Sequence, residues 1–186
     1  HLYELWQSLK SLGLATPNIG LLTNIIACPG GDFCALANAK SIPVAAVIQQ
    51  RFDDLDYLFD IGELDLNISG CMNSCGHHHI GHIGILGVDK QGAEYYQISI
   101  GGAQGNDASI GKVLGPALPE DKVCDAVEKV QRTVAKILTA PAFVEKNLVQ
   151  QAFDPIASTP EEFARTLKVD REAGAELIRI SGAKLE

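Results

Sequence analysis

Positive charge is scarce in this chain: 15 Lys and Arg stand against 23 Asp and Glu, a formal net charge of −8 over 186 residues. No basic stripe offsets that balance, which excludes nucleic acid as a main partner. Long apolar runs are missing too. None reaches the ~18 residues of a membrane span, and the opening HLYELWQSLKSLG lacks a basic stretch followed by an apolar core. Neither a membrane anchor nor an export signal is expected. The expected compartment is therefore the cytoplasm, where thiols stay reduced. Aromatics are few at 6%, and no internal repeat or low-complexity tract is visible. The remaining balance, 46% hydrophobic and 20% charged, is that of a globular chain, and its length suits one domain with an appended piece. The first residue falls abruptly inside an amphipathic pattern, so a fragment of a longer protein is expected.

What the chain does have is cysteine set beside glycine. Cys28 and Cys34 lie in ACPGGDFCALA, Cys71 and Cys75 in GCMNSCGHH, giving C-x5-C, a gap of 36 residues, then C-x3-C. Neither pair has the two-residue spacing of a zinc ribbon, and four thiolates are the usual ligand set of a [4Fe–4S] cube. Gly30 and Gly31 lie between the first pair, while Gly70 and Gly76 flank the second. Glycine permits the close backbone approach and unusual dihedrals such a loop needs, and its N–H groups can donate to sulfur. One helical turn from Cys71 to Cys75 would set their Cβ atoms ~5–6 Å apart.

Duller readings compete. The four cysteines could be buried free thiols or two disulfides. Zinc is the stronger rival, because His78 and His82 are spaced i, i+4 as on one helix face, and His77 and His79 add donors. The fifth cysteine, Cys124, sits alone in an amphipathic segment and reads as filler. The glycine-rich stretch 101–111 lacks the Lys of a P-loop and the dinucleotide-binding spacing. A turn closing a strand against a flat cofactor fits it at least as well.

The apolar pattern predicts an α/β (α+β) fold, a small mixed sheet packed by helices. Leu2, Leu5, Leu9 and Leu12 predict a helix stopped at Gly13, and 16–27 a turn and short strand leading to Cys28. An Ala-rich helix is expected over 32–51, kinked or restarted at Pro43, with Leu36, Ala39 and Val47 buried. Strands are expected at 64–68, 83–88 and 95–102, the last two as a hairpin turning at Asp89–Gly92. Pro119 should open a helix with Val123, Val127, Val130, Val134 and Ile137 on its apolar face, interrupted at Thr139–Pro141. Ser158, followed by Pro160, Glu161 and Glu162, is a strong helix start. A final helix over about 160–180 should bury Phe163, Leu167, Leu177 and Ile180. Two domains are expected, 1–138 with the cysteines and 139–186 as a helical tail.

ACPGGDFCALANA and SGCMNSCGHHHIGHIGILGVDKQG, with KVLGPALPEDKV, resemble the C-terminal half of the sulfite/nitrite reductase hemoprotein family over about residues 1–128. The resemblance implies an enzyme in which a [4Fe–4S] cluster is coupled to a siroheme. It implies that Cys28, Cys34, Cys71 and Cys75 ligate the cluster and that Cys75 bridges to the siroheme iron, with Asn73 and Gly76 near the macrocycle. Sulfite or nitrite as substrate, six-electron reduction to sulfide or ammonia, and a ferredoxin or flavoprotein donor are implied likewise. The family's other half, whose basic side chains clamp the anionic substrate, is missing here. A non-catalytic cluster or zinc module is the alternative. From about Val130 the pattern changes, and STPEEFA and DREAGAELIRISGAK resemble the C-terminus of tripartite tricarboxylate-type solute-binding proteins.

Overall fold

The computed structural model describes residues 1–138, 140–147, 165–166, 168–174 and 179. It falls into two units, His1–Cys124 and Asp125–Glu186, each treated by itself. The first is organised by a six-stranded mixed sheet: β1 (Ile26–Ala27), β2 (Leu66–Ser69), β3 (Ile83–Lys90), β4 (Ala93–Ile100) and β5 (Lys112–Val113) lie in that order, and β6 (Leu118–Pro119) also pairs with β4. β1, β2 and β3 run parallel, with Ala27 opposite Ile68 and Ile68 opposite Ile85. β3 and β4 form an antiparallel hairpin. Its two-residue turn, Gln91–Gly92, has φ of 60° and 83°, the twist a tight hairpin requires.

β2 is buried along its whole length, as expected of a strand flanked on both edges by parallel neighbours. Leu66, Ile68, Ile83, Ile85, Tyr96 and Ile98 form the sheet's share of the core. The helices are α1 (Leu2–Ser11), α2 (Ile42–Arg51), α3 (Leu55–Ile61), α4 (Glu120–Leu138) and α5 (Pro141–Asn147). α1 ends as its leucine spacing predicts, but it buries none of its residues. α4 starts directly after Pro119. Its Val123 and Val127 are buried, whereas Val134 and Ile137 are exposed, so the expected apolar face is covered only toward its start.

The structure corrects the expected helix over 32–51. Only 42–51 is helical, and Pro43 marks its first turn rather than a kink, a position where the missing N–H costs nothing. Before it, the N–H groups of Asn38 and Ala39 both donate to Gly70 O, at 2.8 and 3.0 Å. A backbone tied to the end of β2 cannot also serve a helical ladder. Leu36 and Val47, expected inside, are exposed, and Val44, Ala45 and Ile48 take their place, while Ala39 is buried from the loop. α3 was not expected. Asp54 caps it, its carboxylate accepting from the N–H groups of Asp56 and Tyr57 at 3.0 and 3.3 Å. The cap at Ser158 and the buried face of Phe163, Leu167, Leu177 and Ile180 lie outside the described residues, although 168–174 are helical.

Candidate metal centre

Cys28 follows β1 and Cys71 follows β2 two residues on, so both leave the C-terminal ends of neighbouring parallel strands. Cys28 N–H donates to Ile68 O at 3.1 Å, and the Gly70 N–H donates to Cys28 Sγ at 3.1 Å. A single 3₁₀ turn, Gly30–Asp32, carries the chain on to Cys34, whose N–H donates to Gly30 O at 2.9 Å. Gly30 and Gly70 are pressed together: a Cβ on Gly70 would lie 2.9 Å from Gly30 Cα and 2.6 Å from Ala39 O. On the far side of the second pair, the Gly76 N–H donates to Ser69 Oγ at 3.1 Å, and a Cβ there would fall 1.9 Å from Ile68 O. The glycines that flank and separate the cysteines are thus required for close approach. Contacts with Ile68–Gly70 hold Cys28, Gly30 and Gly76, with Cys71 next in the chain after Gly70; Cys34 follows Gly30 by one turn and Cys75 precedes Gly76.

The segment from Cys71 to Cys75 is not the expected helical turn. It is a run of tight turns, with Ser74 N–H donating to Cys71 O at 3.2 Å and Ser74 itself left-handed at φ 60°. A non-glycine residue in that region breaks a helix. Cys71 is buried, Cys28 and Cys34 half-buried, and Cys75 exposed, and all five cysteines are free thiols. Asn73 is exposed beside Cys75, and Gly76 is buried. Cys124 is buried in α4, away from any cysteine in sequence.

Cys28 has an environment suited to a thiolate. Burial pushes its thiol up, but the Ser41 hydroxyl at 3.4 Å and the N–H groups of Gly70 and Gly30 more than offset this and leave it more acidic than an ordinary cysteine. Ser41 occupies the N-cap position of α2 without capping it, its hydroxyl being turned to the sulfur instead. The preceding residue, Lys40, is bracketed from β4: its N–H donates to Glu94 Oε2 at 3.0 Å, and the buried Tyr96 hydroxyl donates to its carbonyl at 2.9 Å. Burial, then the Glu94 charge, pushes the Tyr96 phenol up, so it stays a donor. Sequence reasoning missed Ser41, Glu94 and Tyr96. Only Ser41 carried a signal, as a hydroxyl residue just before a helix-opening Ile-Pro.

The histidines do not share a helix face. His78 lies in a 3₁₀ turn (78–80), and Gly81 behind it is extended. His82 Nδ1 accepts the Asp65 N–H at 2.9 Å, which leaves that nitrogen without a proton, so its 3.5 Å approach to the Asp65 carboxylate is not an ion pair. His78 is buried with Nδ1 unpartnered, and burial, reinforced by His79, pulls its pKa down to about 4. Among the described residues no three His, Cys, Asp or Glu side chains group tightly enough to hold one metal ion. A single tetrahedral zinc would need its sulfurs within ~4 Å of one another. A cube carries one thiolate on each of four irons and spreads its ligands farther. Four free thiols, a sulfur-directed N–H and glycines in close contact therefore fit a cluster better than zinc. In the loop 101–111, Ala103 and Ser109 bridge to each other, and the Gly111 N–H donates to His79 O at 2.8 Å. The loop packs on the histidine segment; no phosphate cradle forms.

Residues 20–136, more than half of the chain, match the family described as the nitrite and sulphite reductase 4Fe-4S domain. The chain belongs to this family. The match starts later than the expected span of about 1–128 and runs further along α4, to residue 136. Sulfite reductase [ferredoxin] 2 of Mycolicibacterium paratuberculosis is 29% identical over 143 residues, covering 72% of this chain and 26% of that protein. The assimilatory ferredoxin-dependent nitrite reductase of Haloferax mediterranei is 26% identical over 153 residues, covering 80% of this chain and 25% of that protein. The solved structure of the Mycobacterium tuberculosis NirA protein matches with a TM-score of 0.58 and 30% identity, covering 70% of this chain and 26% of that one. The mixed α/β fold is thus the family's, and the chain spans about a quarter of the length of these relatives. No helix among the described residues is long and apolar enough to cross a membrane.

Proposed function

We propose that this chain is the cluster- and siroheme-binding part of a sulfite or nitrite reductase, and that Cys28, Cys34, Cys71 and Cys75 hold a [4Fe–4S] cluster. The observation that carries this is the contact of Ile68–Gly70 with both cysteine loops, whose four thiols are free, within the span that matches the family. Cys75 is proposed as the thiolate shared with the siroheme iron, since it is the exposed member of the set. Asn73, exposed beside it, and the buried backbone of Gly76 would line the macrocycle. When bound, the two groups supply the electrons and the metal site for six-electron reduction of sulfite to sulfide or nitrite to ammonia. The protein's own residues position them. Gly70 N–H and Ser41 favour the anionic form of the Cys28 sulfur, and Lys40, fixed by Glu94 and Tyr96, keeps the first cysteine loop against the sheet.

The partners proposed are sulfite or nitrite, a ferredoxin or flavoprotein donor, and the N-terminal half of the reductase, in the cytoplasm. The exposed apolar residues of α1, Leu2, Tyr3, Leu5 and Trp6, support a further body packing there. The tail after α4 is given no role in the site, and its resemblance to solute-binding proteins supplies no ligand. Anaerobic purification with iron, sulfide and siroheme quantitation tests the reading. About four irons and four sulfides per chain are expected. A chain with neither overturns it. A cluster without siroheme leaves the non-catalytic module. This chain alone should turn over sulfite or nitrite barely, because its charge of −8 offers little to hold an anion.

A further inference from the structure

The second cysteine loop contains a hydrogen-bond chain that the proposed function does not use. Ser74 Oγ lies 2.9 Å from Met72 O and 2.7 Å from His79 Nε2. A hydroxyl has one proton, and a carbonyl oxygen cannot donate. At 2.9 Å the Met72 contact is stable only if Ser74 donates into it. Ser74 Oγ must then accept from His79, which requires the proton on Nε2. The far end of the chain is anchored independently, because His79 O accepts the Gly111 N–H at 2.8 Å from the loop behind β4. The near end fixes Met72, between Cys71 and Asn73, and Ser74, next to Cys75. Ser74 sits at φ 60°, a left-handed backbone that a serine holds only when its surroundings require it.

We propose that His79 is a positioning residue for the cluster: through Ser74 it fixes the spacing of Cys71 and Cys75, linking the exposed cysteine loop to the 101–111 loop. The inference rests on the cluster reading and adds a named residue to it. His79 touches no cluster atom in this account; it acts by holding the turn that presents two of the four sulfurs.

The test uses the full chain purified anaerobically, as wild type and as His79→Ala, His79→Gln, Ser74→Ala and the double Ser74→Ala/His79→Ala. Iron and sulfide per chain are measured first. The rate at which the visible cluster absorption bleaches with an iron chelator is then followed, and the EPR spectrum of the reduced cluster is recorded. His79→Ala should lose its cluster about fivefold faster than wild type, the worth of one net hydrogen bond, with an altered EPR line shape. His79→Gln, whose amide can still donate to Ser74, should restore both. Ser74→Ala, which also loses the bond to Met72 O, should lose its cluster at least as fast as His79→Ala, and the double variant should be no worse than Ser74→Ala alone, as expected for two members of one chain. Wild-type bleaching in His79→Ala, failure of His79→Gln to restore it, or additive losses in the double variant would each overturn the inference while leaving the cluster reading intact. A wild-type chain without iron and sulfide would remove both.

Discussion

The stretch from Cys28 to Ser41 adds bonds to the sheet to its own internal turns, such as Gly31 N–H to Ala39 O and Cys34 N–H to Gly30 O. Its N–H groups donate to Ile68 O and twice to Gly70 O, and Lys40 is gripped from β4 by Glu94 and Tyr96. The stretch from Cys71 to His77 bonds mainly within itself, Ser74 to Cys71 and His77 to Ser74, with both Ser74 and His77 left-handed. One loop borrows its rigidity from β-structure; the other is a series of strained local turns pinned at its ends. The burial does not follow the same division: the first loop's thiols are both half-buried, whereas the second loop holds the buried Cys71 and the exposed Cys75. A loop that presents one sulfur outward cannot be covered by strands there. It has to be stiffened by contacts made at its edges, and substitutions at those edges should separate the two loops experimentally.

The largest effect is expected at the far edge of the second loop. In Gly76→Ala the new methyl would fall 1.9 Å from Ile68 O, on a strand backbone with no freedom to move aside. The substitution should destabilise the fold by ~3 kcal/mol or more, read as a collapse of the denaturation midpoint. Wild-type stability in this variant would mean that the second loop is not seated on β2, and the contrast between the loops would lose its basis.

His78 gives the next effect, through pH. Its ring is buried, and its pKa is lowered from 6.5 to about 4. The unfolded chain therefore binds a proton that the folded chain refuses between those values. Stability present above pH 6.5 is lost as pH falls toward 4, by about 2 kcal/mol at pH 5 for this one group. Melting temperature followed from pH 7 to 5 should drop, and His78→Gln should flatten the drop. An equal drop in the variant would assign the acid sensitivity elsewhere.

On the other side of the comparison, Tyr96→Phe removes the donor to Lys40 O and a contact with Glu94 Oε2 at 3.2 Å. Loss of this part-buried bond should cost about 1.5 kcal/mol. If the first loop is held by the sheet as described, the apo variant should also show faster amide exchange at Lys40 and Ser41, with Ser74 and His77 unchanged. Equal loosening of both loops would mean that they form one cooperative unit.

Much of the sheet was legible because its patterns are local. The hairpin could be read from the alternation on either side of Asp89–Gly92, and α1 from four leucines at helical spacing. The candidate sulfur ligands could be picked out from glycine-flanked cysteines. What was not legible depends on partners distant in sequence. Residues 35–39 read as helix because they are Ala-rich, and only the acceptor Gly70 O, over thirty positions away, explains why they are not. The i, i+4 spacing of His78 and His82 implied a shared face, but spacing has that meaning only on a helix, and the chain there is a 3₁₀ turn followed by extended backbone. α3 was legible in principle from the Asp54 cap. Glu94 and Tyr96 were not, since nothing in YYQISI distinguishes a tyrosine that packs from one that holds a loop.

The smallest effect should come from Ser41→Ala, which probes the sulfur end of the first loop. Ser41 is fully buried, and its hydroxyl is turned to Cys28 rather than to the N-terminus of α2. Its loss should cost about 1 kcal/mol of stability, because the sulfur keeps the Gly70 N–H. The chemical effect is more diagnostic. Burial raises the Cys28 thiol pKa, and Ser41 is the first of the contacts that bring it down. Removing it should move the pKa upward, so that in the cluster-free chain alkylation of Cys28, followed by mass spectrometry of its peptide, requires a higher pH. Cys75, in the self-supporting loop, should alkylate with an unchanged profile. A parallel shift at both cysteines would show that the effect is a global loosening, and that Ser41 has no specific hold on the sulfur.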